Sequence, residues 1–313
     1  MKKRIFALLL CLMVSLAVLA GCGNTAEETP TANGEGYTFT DSLGNEVTID
    51  NPQSVVACMG GLAEIWILAG GEESLTGIAS DADFEVADTV AKIGKNNEPS
   101  VETIMSINPD FVILSSATPE HVALSDTLKQ AGINHAYFDV NSFDEYLYTL
   151  EIFTNITDNT EAYETNGLAV QSQIEDVIAG VETGDTAPEV LLLITYSQGV
   201  RAQTSDTMTG QMLADLGCVN IADENPSLLE SFSVEAIVDI DPDYIMVIPM
   251  GFSEEASAES LGTYLESNPA WAGLSAVQNG HYAILEPEYF LYKPNAQWGE
   301  SYEKLAEILY GAE

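Results

Sequence analysis

Two stretches of this chain, 133 residues apart, carry the same pattern of apolar and polar positions. Residues 100–113 and 233–246 agree at seven of fourteen positions, and each reads as a short helix followed by a buried strand. Ser100 and Ser233 suit the N-cap, and Glu102 and Glu235 fall in the first turn, where the helix dipole favours negative charge. Apolar residues follow at helical spacing until Pro109 and Pro242, which cannot continue the hydrogen-bond ladder. Apolar runs of strand length come next, over 111–114 and 244–249. A unit used twice predicts two lobes of like topology, with a ligand bound between them.

The rest of the pattern fits that scheme. Alternation over 37–49 with a turn at 43–45 predicts a small hairpin. A buried strand at 54–58, a tight loop at 59–61 and a helix at 62–69 stopped by Gly70 and Gly71 follow. Further strands are predicted at 76–79 and 134–138, with a helix over 120–131 ended by Gly132. The second half repeats the order: strand 189–195, helix 209–216, strand 219–222, the repeated unit, a loop over 250–260, helix 261–266, strand 282–285 and helix 298–310. Strands alternating with helices predict an α/β fold, two lobes with largely parallel sheets. Residues 143–181 are helical in pattern with one break near 155–159. As the sole bridge, so long a helix limits hinge motion, because helices bend less readily than loops. The predicted division is therefore an N-terminal lobe at 37–142, a connecting helical segment at 143–182 and a C-terminal lobe at 183–313.

The first 36 residues belong to neither lobe. Lys2, Lys3 and Arg4 precede an uncharged apolar run that ends in Leu19-Ala20-Gly21-Cys22, the layout of a secretory signal over 1–22. Its ending resembles the lipobox of bacterial lipoproteins, which implies that Cys22 becomes a lipidated N-terminus. Two acyl chains suffice for stable membrane attachment. Residues 23–36 are small, polar and acidic and read as a flexible tether. The expected location is thus extracytoplasmic, lipid-anchored to the cell membrane in the Gram-positive manner.

Charge removes one class of partner. The chain has 49 acidic and nine basic residues, and only Lys92, Lys95, Lys129, Arg201, Lys293 and Lys304 lie beyond the signal. Nucleic-acid binding through a basic patch is excluded. Cys58 and Cys218, the two cysteines after Cys22, read as buried thiols. The spacing of Cys and His matches no zinc motif.

At this point the chain resembles the bacterial ABC-transporter substrate-binding proteins of iron-siderophore, haem and vitamin B12 uptake. The resemblance runs from about Tyr37 to Tyr310. It is carried by the lipobox, the two Ser-Val-Glu…Pro-Asp units, the segment Gly217-Cys218-Val219-Asn220-Ile221 and the stretch from Lys293-Pro294-Asn295 to Trp298 and Tyr302. It implies a class III fold, two lobes joined by a long rigid helix, with no intrinsic cofactor and no catalysis. The implied cargo is an iron chelate, a ferric siderophore first, with haem or cobalamin as the other members of the class. The resemblance also implies that Glu102 and Glu235 dock a monomeric protein onto an ABC permease dimer, since paired exposed charges orient association.

In open α/β sheets the loops at the carboxyl ends of strands line the binding crevice. That rule selects Met59, Gly60, Ser80, Asp81, Ser115 and Ser116 in the first lobe. In the second it selects Tyr196, Ser197, Met250 and the segment 286–292, with Tyr289, Phe290 and Tyr292 as aromatic walls. Arg201 is the one arginine beyond the signal and suits an anionic ligand. An axial ligand for haem would come from His121, Met59, Tyr196 or Tyr289. Two other readings compete. A zinc or manganese receptor would bring several histidines and carboxylates together. A serine hydrolase would show Gly-x-Ser-x-Gly, and Thr195-Tyr196-Ser197-Gln198-Gly199 lacks the first glycine.

Overall fold

The computed structural model describes residues 36–181, 184, 186–196, 199–230, 234–250 and 267–311. Strands β1 (Tyr37–Thr40) and β2 (Glu46–Ile49) form the expected antiparallel hairpin. The buried Asp41 closes its turn by accepting from the amides of Leu43 and Asn45.

The first sheet is parallel and contains β3 (Val55–Ala57), β4 (Leu75–Ile78), β5 (Ala91–Lys92), β8 (Phe111–Ser115) and β9 (Asn134–Phe138). Its order is β5-β4-β3-β8-β9. A two-residue hairpin, β6 (Gly94–Lys95) with β7 (Glu98–Pro99), stands beside it. The second sheet contains β10 (Glu189–Tyr196), β11 (Gly199–Ala202), β12 (Val219–Asn220), β13 (Tyr244–Pro249) and β14 (Tyr282–Ile284). Here β12-β10-β13-β14 run parallel, matching β4-β3-β8-β9, while β11 adds an antiparallel edge to β10.

Alternation along these strands sorts side chains onto two faces. Val55, Ala57, Phe111 and Ile113 enter one large core, while Val56, Val112 and Leu114 enter a separate outer one. In the second sheet Val190, Leu192, Met246 and Ile248 join the same large core, and Leu191, Leu193, Ile245 and Val247 form a third. The large core is shared by both lobes, so moving them apart would expose apolar surface at about 25 cal/mol per Å².

Helix α1 (Gly60–Leu68) covers the inner face of the first sheet, and α2 (Val101–Ile107) its outer face through Ile104. The expected helix over 120–131 is two pieces, Pro119–Val122 and α3 (Ser125–Ala131). His121 explains the division, since its buried ring is held at the end of β8 by the Ser115 amide. In the second lobe α7 (Met208–Asp215) lies on the shared core and α8 (Val234–Ile240) on the outer one through Ile237. Strand 219–222 proves shorter than expected, because Asn220 accepts from the Ala222 amide and starts a helical turn at Ile221.

The connecting segment has two halves. Helix α4 (Phe143–Ile156) packs on α1 and starts at a capping box made by Ser142 and Glu145. After the break at 157–159, α5 (Thr160–Tyr163), a π-helical turn (Glu164–Leu168) and α6 (Ala169–Gly180) run on without interruption. The π turn is tied to the first lobe: Tyr146 Oη donates to the Asn166 carbonyl, and Asn166 Nδ2 donates to the Leu68 carbonyl at the end of α1. Such turns free backbone carbonyls, which then need partners. Helix α6 packs instead on the C-terminal helix α9 (Trp298–Tyr310).

The repeated unit is a structural repeat. Ser100 caps α2 by accepting from the Thr103 amide; Ser233 lies outside the described residues. Asn108 and Asp241 both leave their helices in the left-handed region, at φ 51° and 50°. Asp110 then accepts from the amides of Gln53 and Ser54, just ahead of β3, and Asp243 from the amide of Glu189, the first residue of β10. Each aspartate thus ties its own helix-strand unit to the first strand of its lobe.

Candidate ligand cleft

The carboxyl ends of β10 and β13 in the second sheet face a cavity of 270 Å³. Its apolar wall includes Ile194 of β10, Ile248 of β13, Met208, Phe290 and Leu291, and its polar lining includes Asn141, Gln203 and Lys293. Asn141 follows β9 of the first lobe, whereas the others belong to the second, so both lobes contribute to it. Two threonine hydroxyls on the lining are already satisfied. Thr207 donates to the Thr204 carbonyl and the buried Thr209 to the Phe290 carbonyl at 2.6 Å.

Lys293 crosses between the lobes. Its Nζ donates to Asn141 Oδ1 at 2.9 Å, and Asn141 Nδ2 donates in turn to Asp139 Oδ1 at 2.7 Å. Its stem lies over the first turn of α1, where a Cβ on Gly61 would sit 3.0 Å from Lys293 Cγ. A glycine at 61 lets the Lys293 side chain lie against the helix backbone. Burial pushes the Lys293 amine below its ordinary pKa, and the charges of Asp139 and Glu145 oppose that shift. Two residues on, Asn295 Nδ2 donates to the Gly61 carbonyl and to Glu64 Oε2, while burial raises the Glu64 pKa against that hydrogen bond.

Of the residues selected at the strand ends, Phe290 and Leu291 of the segment 286–292 line this cavity, and the others do not. Tyr292 and Met250 flank it, since Tyr292 stands between Leu291 and Lys293 and Met250 follows Ile248 by two; both side chains are exposed. Met59 and Gly60 open α1, and Gly60 allows the close approach of Ala82. Ser115 is buried, its amide donating to His121 Nδ1, and the half-buried Ser116 donates its amide to Phe138. Ser80 is exposed, and Asp81 accepts from the Asn96 amide, an interaction that shapes the β6–β7 hairpin. Ser197 and the loop 251–260 lie outside the described residues, as do helix 261–266, the signal and Cys22.

Several side chains have other roles. The Tyr289 ring is buried, its hydroxyl donates to Glu300 Oε1, and Lys304 Nζ sits 4.4 Å from its centroid. That residue anchors α9. Arg201 is exposed on the edge strand β11, its guanidinium 5.8 Å from the Tyr196 ring. His121 is fully buried. Its Nδ1 accepts from the Ser115 amide, so Nε2 carries the proton and donates to the Asn96 carbonyl at 2.8 Å. With both ring nitrogens bonded, His121 has none left for iron, which corrects its candidacy as an axial ligand. Burial also lowers its pKa, which keeps the ring neutral. Among the described residues no group of three or more His, Cys, Asp or Glu could hold a metal ion, and Cys58 and Cys218 are buried free thiols.

Sequence reasoning missed Asn141, Gln203 and Lys293. The strand-end rule extends to Asn141, three residues past β9. Lys293 stands one residue beyond the segment 286–292. Gln203 follows β11, an edge strand too short to be read from alternation.

Comparison with known proteins decides the family. The family model described as periplasmic binding protein matches residues 55–289, three-quarters of the chain. The chain belongs to the periplasmic binding protein family. Over 323 residues it is 24% identical to the uncharacterized ABC transporter substrate-binding lipoprotein YvrC of Bacillus subtilis, covering 99% of this chain and 98% of that protein. Among solved structures it resembles Staphylococcus aureus IsdE complexed with heme, at a TM-score of 0.68 and 18% identity over 82% of this chain and 98% of that one. The periplasmic vitamin B12 binding protein BtuF of Vibrio cholerae matches at a TM-score of 0.65 and 18% identity, over 83% of this chain and 97% of that one. This periplasmic binding protein thus has the class III fold, mixed α/β with two largely parallel sheets joined by a helical segment.

Proposed function

We propose that this periplasmic binding protein is an extracytoplasmic lipoprotein that captures an iron chelate and delivers it to the permease of an ABC importer. The observation that supports this most is the cavity itself, with an apolar wall at the carboxyl ends of β10 and β13 and Asn141 of the other lobe on its lining. Its relatives by sequence and fold include a substrate-binding lipoprotein, a heme-binding protein and a vitamin B12 binding protein. A ferric siderophore is the first cargo, and haem or cobalamin are the others of the same class. Haem would have to be ligated by a residue other than His121.

In this reading Glu102 and Glu235 dock the permease. Both are exposed, each in the first turn of the equivalent helix of its lobe. Cys22 carries the lipid, 23–36 is the tether, and 37–142, 143–182 and 183–313 are the first lobe, the connector and the second lobe. The protein acts as a monomer and performs no catalysis. Calorimetric titration with ferric siderophores, haemin and cobalamin tests the proposal: one class should bind with micromolar affinity or better. Binding of none would sink it.

A further inference from the structure

We propose that Lys293 is the anion anchor of the cleft, and that the cargo places a carboxylate or a like anionic arm in the 270 Å³ cavity against it. This rests on the substrate-binding reading above and specifies its ligand.

The first argument is charge. The chain has 49 acidic residues against nine basic ones, yet Lys293 has no carboxylate within ion-pair distance among the described residues. Lys304, by contrast, pairs with Glu286 at 3.0 Å. An ammonium taken out of water is costly unless paired, and among the described residues Lys293 hydrogen-bonds only the neutral amide oxygen of Asn141. The nearby acids are engaged elsewhere. Asp139 accepts from Asn141 Nδ2, and Glu145 accepts from the amides of Asn141 and Ser142. Asp206, also on the cavity lining, is exposed and makes no ion pair with Lys293.

The second argument is geometry. An ammonium carries three donors, and one of them goes to Asn141. The bond from Asn141 to Asp139 settles which way the Asn141 amide points, so its oxygen faces Lys293 and the lysine is held in place. Two donors remain for a ligand, in a cavity whose threonine hydroxyls already have partners. The volume lies below that of pockets which enclose a whole drug-sized ligand. It suits an arm, while the body of the ligand rests outside, where Tyr292 and Met250 expose apolar surface. Arg201 is on the exposed edge strand and lines no part of this cavity.

The test compares wild type, K293Q and K293R on two sets of probes. Haemin, ferric citrate and a ferric tris-catecholate carry anionic groups; cobalamin and a neutral ferric trihydroxamate do not present a free carboxylate. Wild type should bind an anionic probe, K293Q should bind it at least tenfold more weakly, and K293R should stay within threefold. Affinity should fall with added salt in wild type and much less in K293Q. K293R carries the test if K293Q folds poorly. Should K293Q bind the anionic probe within twofold of wild type, the anchor is wrong and the transport reading stands. Binding of a neutral probe alone has the same consequence. If folded wild type binds no probe of either set, both the anchor and the transport reading fall.

Discussion

The side-chain amide of Asn295 donates to the carboxylate of Glu64 at 2.6 Å, across 231 residues of sequence. It joins the segment leading into the C-terminal helix to the first helix of the opposite lobe. Asn295 is fully buried and takes a left-handed backbone at φ 51°, which asparagine tolerates better than most residues. Asn295→Gly keeps that backbone and removes the bond, leaving a half-buried Glu64 without its donor. The expected loss is about 1–3 kcal/mol of unfolding free energy, read from urea denaturation. A change under 0.5 kcal/mol, against the ~1 kcal/mol scale of a single hydrogen bond, would show that the bond contributes nothing.

Glu102 and Glu235 should matter for delivery and not for capture. Reversing both charges, E102K with E235K, should abolish uptake in cells while ligand affinity stays within twofold. Stability should move by about 0.5 kcal/mol or less, as for most exposed substitutions. An equal fall in affinity and uptake would refute the docking role.

His121 predicts a dependence on pH. Its folded pKa lies below the ordinary histidine value because burial disfavours the imidazolium. The stability it contributes is therefore present above about pH 6.5 and is lost as pH falls through its folded value. Melting temperature should drop more steeply between pH 7 and 5 in wild type than in H121N, whose amide oxygen can still accept from Ser115. Parallel curves would contradict this. If haem proves to be the cargo, H121N should leave its absorption spectrum unchanged.

Cys58 titrates at the other end of the scale. Burial pushes its thiol up to about 12, so the folded protein holds roughly a thousandfold less thiolate at pH 8 than a thiol of pKa 9. Iodoacetamide should leave Cys58 unlabelled in the native state and modify it in urea. The sign follows from the raised value: stability is fully present below about pH 8.5 and is lost as pH rises towards 12. Wild type should lose more stability than C58A between pH 8 and 10.5. An equal loss in both would place the effect on other groups.

Much of the fold can be read locally. The Ser-Val-Glu…Pro-Asp units announce two equivalent lobes because capping, helical spacing and proline act within one or two turns of chain. Alternation in strands such as 111–115 and 190–193 sorts the two core faces for the same reason. The connector's break at 157–159 is likewise written in a run of Thr, Asp and Asn. Some short elements escape such reading, as β11 and the turn begun by Asn220 show, because tertiary pairing decides them.

The cleft is a different matter. Sequence alone placed functional residues at strand ends; it took in Tyr289, stopped one residue short of Lys293, and decided for neither which way the side chain points. Tertiary structure turned Tyr289 onto Glu300 and Lys304, bonded both nitrogens of His121, and laid Lys293 over Gly61 to reach Asn141. Asn141 and Lys293 are 152 residues apart. Local pattern records which residues a strand or helix will bury, but partners that distant meet only when the two lobes pack on their shared core.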